Sequence, residues 1–187
     1  MINVMNLVQL KAFARQDGVL LALLWACSFL AVMLSPGSAL GSLLALSTPF
    51  VVGWLLARFR DGALDGIISF RRAFAFSCYT FFYASLIFAA VQFVYFRFFD
   101  HGNLMSMMME NLRVMEQAAS TQGAVGKTSI AQMKETAQIV GQLSPVQITF
   151  VIMMDNLLVG AFMSLPIALW GSRKKRAHNG NLPQQDL

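Results

Sequence analysis

The sequence predicts an all-α integral membrane protein, a bundle of four transmembrane helices carrying an amphipathic helical loop on the outer side. Three observations predict it. Residues AVILMFWYC make up 57% of the 187 positions, above the ~45–50% of soluble domains even when glycine is counted with them. Charged residues are only 12%, about half the usual ~25%. The apolar residues are also gathered into runs long enough to cross ~30 Å of hydrocarbon at about 1.5 Å per residue. A chain of this size has too little interior to hide that surface from water, and its mean hydropathy is +0.59. A water-soluble enzyme, a disordered tail and a disulfide scaffold are excluded together.

Residues 1–18 form a lead-in where Ile2, Met5, Leu7, Leu10, Phe13 and Ala14 recur at roughly helical spacing. The segment is expected to lie in the inner membrane–water interface. Residues 19–100 hold the first three spans, Val19–Leu34, Ala39–Ala57 and Ala73–Phe96. None alternates as barrel strands do, and open sheet edges are forbidden in lipid, so these are helices. Ser35-Pro36-Gly37-Ser38 is a tight turn that makes the first two a hairpin. A signal peptide ending at Gly37-Ser38-Ala39 fits less well, because the run exceeds an ordinary apolar core and Asp17 interrupts its basic flank.

Residues 101–145 form the outer loop. Leu104, Met108, Leu112, Met115 and Ala119 mark one helix face; Ile130, Met133, Ala137 and Val140 mark a second after a glycine-containing break. Ser144-Pro145 opens the fourth span, 146–170, with proline where its missing donor costs nothing. Within that span Gly160 and Ser164 stand at the small-xxx-small spacing of helix contacts. Residues 171–187 have no periodicity and are expected to be a basic, disordered cytoplasmic tail.

Lys and Arg set the orientation. With the N-terminus inside, ten of the fourteen face the cytoplasm; only Arg97, Arg113, Lys127 and Lys134 lie outside. Both termini are therefore expected in the cytoplasm. Arg58, Arg60, Arg71 and Arg72 in the inner turn, with Arg173, Lys174, Lys175 and Arg176 after the last span, are expected to contact lipid phosphates. Anionic lipid accounts for the basic charge, and no nucleic-acid partner is implied.

Little reactive chemistry stands in the chain. Cys27 and Cys78 lie inside apolar runs and read as small packing residues. Gly126-Lys127-Thr128 ends like a phosphate-binding loop, yet position 121 is Thr where glycine is required, and no strand precedes it. Met105, Met107, Met108 and Met109 beside His101 could offer soft thioethers to Cu(I). A Met-rich amphipathic face explains them as apolar filler, so no metal or other cofactor is expected. His101 and His178 stand far apart outside the spans, and no catalytic set can be assembled, so the chain does not read as an enzyme.

One intramembrane acid stands out. Asp155, mid-way along the fourth span, costs ~2.5–3.5 kcal/mol on insertion scales if fully central. Depth arithmetic places Asp155 and Asn156 roughly 14–15 Å from the outer end, Thr48 at ~14 Å and Gln92 at ~6–10 Å. Ser28 and Trp25 fall in the same band. Pro49 leaves a carbonyl near Ala45 without its donor. These residues predict a buried polar layer of Ser28, Thr48, Gln92, Asp155 and Asn156.

Particular stretches also carry a resemblance. They are Thr48-Pro49, Arg58-Phe59-Arg60-Asp61, Gly66-Ile67-Ile68-Ser69-Phe70 with Ala73-Phe74, and Ala84-Ser85-Leu86-Ile87. Tyr95-Phe96, Leu143-Ser144-Pro145-Val146-Gln147-Ile148, Asn156 and Gly160 continue the pattern. In content and order the chain resembles a family of small four-span Bacteroidetes inner-membrane proteins known only as a domain of unknown function. The resemblance implies four helices, a bacterial inner-membrane location and no assigned activity. It also implies proximity to a polyprenyl-phosphate-type glycosyltransferase, and so an association with envelope lipid or glycan assembly. Two functions are expected from all this. The first is a non-catalytic accessory or scaffold subunit, with a membrane protein partner or a second copy of itself. The alternative is a small transporter or ion-coupled carrier that uses Asp155.

Overall fold

The computed structural model describes residues 4–35, 38–119 and 124–172. Among them are seven helices: α1 Val4–Leu34, α2 Leu40–Leu46, α3 Thr48–Ala63, α4 Phe70–Phe98, α5 Asn103–Ala119, α6 Ala124–Gln142 and α7 Pro145–Gly171. No strand occurs among the described residues. Three helices are long and apolar enough to span a membrane: Val8–Leu34 within α1, then α4 and α7. A fourth span exists if α2 and α3 are counted as one. These helices mark a membrane protein.

Two expectations change at the N-terminal half. No break sets off the lead-in, because α1 runs unbroken from Val4 into the first span. Nothing between Val4 and Leu34 breaks a helix: no proline interrupts it, and Gly18 is its one glycine. The stretch expected as the second span is broken into two helices. α2 and α3 meet at Ser47 with a 41° bend, and Pro49 explains it. Proline cannot donate to the carbonyl of Ala45, and its ring crowds that carbonyl. The chain resolves the conflict by starting a new helix, with Pro49 in the first turn of α3.

α4 is the hub, packed on α1 along one side and α7 along another. Both crossings run over glycine. A Cβ placed on Gly18 would come within 2.7 Å of Tyr83 Cβ, and one on Gly160 within 2.6 Å of the Phe81 ring. The small residues let α1 and α7 approach α4 more closely than any side chain permits. Ser164 follows Gly160 on the same buried face and returns its hydroxyl to the Gly160 carbonyl at 2.7 Å.

The core beneath these crossings is aliphatic and aromatic, with Leu21, Leu55, Leu56, Phe59 and Phe76 almost fully enclosed. Phe59 and Phe76 stack with centroids 4.5 Å apart. Near them Arg72 of α4 reaches Gln9 of α1, and Arg60 of α3 reaches Gly171 of α7. The N-terminal ends of α1 and α4 thus share one end of the bundle with the C-terminal ends of α3 and α7. α4 and α7 run antiparallel. Cys27 is exposed and Cys78 half-buried, so neither sits in this core.

α5 and α6 pack chiefly on each other. Met105 of α5 lies against Gly141 of α6, where a Cβ would come within 2.6 Å of its methyl. Lys134 and Glu116 pair at 2.5 Å across the two helices. Leu112 and Ala137 are buried, whereas Met115 and Met133 are exposed, so the expected apolar faces are only partly covered. α7 then begins with a capping box. Ser144 Oγ accepts from the Gln147 backbone while Gln147 Oε1 accepts from the Ser144 backbone.

Candidate functional site

At the 41° break where α2 turns into α3 lies a cavity of about 490 Å³, lined also by α1, α4 and α7. Trp25, Phe29, Phe81 and Phe88 supply much of its wall, and Ala45, Leu46 and Pro49 supply the broken edge. Three polar side chains also line it: Ser28, Thr48 and Asn156. No ionisable residue does.

Each polar group is held differently. Ser28 donates to the Gly41 carbonyl at 2.7 Å, tying α1 to α2. Thr48 Oγ1 accepts from Trp25 Nε1 at 3.0 Å, so its own hydroxyl hydrogen is left over. Asn156 Nδ2 is buried with no hydrogen-bond partner among the described residues. Such an orphan ordinarily costs about 1–3 kcal/mol.

The expected polar layer therefore forms only in part. Ser28, Thr48 and Asn156 meet, and Asp155 and Gln92 do not join them. Adjacent helix residues are separated by about 100° around the axis, so Asp155 cannot share the face of Asn156. Asp155 is exposed, on the far side of α7 from Gly160 and Ser164, and makes no hydrogen bond or ion pair among the described residues. Gln92 is 2% exposed and lies at a different depth. Gly160 abuts Phe81, and from that level Asn156 is roughly 6 Å further along the bundle and Gln92 roughly 16 Å. Gln92 Oε1 is buried without a partner.

The basic end also departs from expectation. Arg60 is 7% exposed and cannot serve lipid phosphates. Its Nε and Nη2 donate to Asp61 at 2.7 and 2.9 Å, and its Nη1 donates to the Gly171 carbonyl at 3.2 Å. It caps the C-terminal end of α7, where a cation complements the helix dipole. Arg72 is half-buried over the Phe59 ring and reaches Gln9. Arg58, over the Trp54 ring, and Arg71 are exposed. Arg173, Lys174, Lys175 and Arg176 lie outside the described residues, as does the rest of the expected tail.

Sequence reasoning missed Asp17. It is 4% exposed, a carboxyl enclosed in the packed face of α1. His101 Nδ1 lies 2.9 Å from the Phe99 carbonyl. Ala124–Thr128 of the phosphate-loop look-alike is helix, and Gly123 lies outside the described residues. No group of three His, Cys, Asp or Glu side chains occurs among the described residues.

No curated protein and no solved structure matches the chain. One family model does, across residues 16–172, a stretch that runs from the buried acid of α1 to the end of α7 and takes in every element of the bundle. The chain belongs to the family described as "Protein of unknown function (DUF4199)".

Proposed function

We propose that this protein is a non-catalytic accessory or scaffold subunit of the bacterial inner membrane, with both termini in the cytoplasm, docked to another membrane protein through α7. The observation that carries this reading is the outward carboxyl of Asp155. Val151, Asp155, Leu158, Phe162, Leu165 and Leu169 recur at spacings of four and three residues, and all are exposed. That is the seam of a helix pair with a polar residue at one core position, the arrangement that fixes register and partner choice. Left against lipid, an acid at this depth costs ~2.5–3.5 kcal/mol; a facing helix that offers a cation or a hydrogen-bond donor offsets that cost.

The alternative is a small transporter or ion-coupled carrier that uses Asp155; the docking reading is preferred because the carboxyl does not line the cavity. The family resemblance adds a class of partner, a polyprenyl-phosphate-type glycosyltransferase, and with it a place in envelope lipid or glycan assembly. The exposed Arg58 and Arg71 fit anionic lipid on the cytoplasmic side.

The test places a photo-crosslinking residue at Phe162 in native membranes. One membrane protein should crosslink stoichiometrically and co-purify after mild detergent extraction. Asp155→Leu should abolish that crosslink while the bundle still folds, and Asp155→Asn, which can still hydrogen-bond, should retain part of it. Recovery of the chain alone, or crosslinked solely to itself, overturns the accessory reading.

A further inference from the structure

We propose that the cavity at the α2–α3 break is a binding site for a membrane-dissolved quinone, whose ring carbonyl accepts hydrogen bonds from Asn156 Nδ2 and Thr48 Oγ1. The cavity's volume of about 490 Å³ falls within the ~300–1,000 Å³ of small-molecule pockets, and like them it is apolar with a few placed polar groups.

Those polar groups are of one kind. Ser28 has already given its hydrogen to Gly41. Thr48, having accepted from Trp25, has a hydroxyl hydrogen to give, and the buried Asn156 amide nitrogen has no acceptor. Two spare donors on residues that line an apolar space call for a ligand that is apolar apart from an acceptor oxygen. No cation lines the wall to hold a phosphate or carboxylate.

Depth then separates the sources of such an oxygen. Asn156 lies eleven residues into α7, roughly 16 Å along the helix from Pro145 and so near mid-span. Phospholipid ester carbonyls sit at the interface, whereas a quinone ring dissolves in the hydrocarbon itself. The walls agree with a flat conjugated ring. Trp25 stands at 6.1 Å from Phe81 and 5.7 Å from Phe88, and Phe29 at 5.9 Å from Phe88, each ring tilted or edge-on to its neighbour.

The experiment uses Trp25 as the reporter. Trp54 and Trp170, both exposed, are replaced by Phe in the full chain, which is placed in lipid nanodiscs and titrated with decylubiquinone. Saturable quenching with one site per chain is expected. Asn156→Leu should weaken it about tenfold, the loss of one hydrogen bond to a buried donor. Ala45→Phe, at an exposed residue on the cavity edge, should abolish it. If Asn156→Leu fails to fold, Ala45→Phe alone decides. Quenching that rises linearly with quinone and is the same in all variants overturns the site. So does displacement of the quinone by equimolar diacylglycerol, which would assign the donors to an ester lipid.

Discussion

At Arg60 a guanidinium that charge counting would leave in water is folded under the bundle, forked onto Asp61 and aimed at the Gly171 carbonyl. A planar fork can make both contacts at once and an ammonium cannot. Arg60→Lys should therefore lower stability by roughly 1.5–3 kcal/mol, the range for hydrogen bonds to charged groups. Thermal unfolding in detergent checks it, with Arg58→Lys, an exposed neighbour, as the unchanged control. Asp155 and Asn156 teach the complementary lesson. Residue counting reads depth, and it placed both near mid-span; it does not read the angle around the helix. One residue apart, they face opposite destinations, a seam and a cavity. The sequence does hold a signal for the seam, the alternation of four and three from Val151 to Leu169, but only exposure tells which side of α7 it occupies.

Among the elements, packing at glycine separates functional closeness from incidental smallness. Gly160 abuts Phe81, while a Cβ at Gly53 meets nothing within 4 Å. Gly160→Leu should destabilise the α4–α7 pair by about 1–3 kcal/mol, as overpacking does. Gly53→Leu should be neutral or stabilising by up to about 1 kcal/mol, since leucine is the better helix former. Melting temperatures of the two variants measured side by side decide the point. Span positions were legible because a long apolar run in a chain this poor in charge has one use. The contact face of α7 was legible from Gly160 and Ser164 for the same physical reason, that small residues permit approach. The break at Ser47 was only half legible. Pro49 announced a lost donor, but whether a helix absorbs that as a kink or starts afresh depends on what lies beside it. The continuity of α1 was hidden too, because an amphipathic lead-in and the first turns of a buried helix have the same spacing until Asp17 and Ala14 are seen packed inside.

For the molecule as a whole, the connections fall into two bodies of unequal importance. α1, α3, α4 and α7 interlock around shared buried residues, with α2 held to α1, whereas α5 and α6 chiefly hold each other. Replacing residues 103–142 by a short flexible linker should leave the bundle's helicity and thermal transition within a few degrees of the parent, checked by circular dichroism in detergent. A collapse of the transition would show that the hairpin braces the spans. The tie between Arg60 and Gly171 closes across 111 residues of chain. Its consequence lies in biosynthesis. During translation Arg60 emerges 111 residues before Gly171, so its third contact forms only once α7 has been made. A chain stopped at Ala168 would insert its spans yet leave that guanidinium with its two Asp61 bonds and no carbonyl for Nη1, a local flaw that membrane proteases can read. Completion of α7 is thus written into the fold as a single hydrogen bond, and chains cut at Ala168 should be cleared faster than chains that carry Gly171 in a pulse–chase.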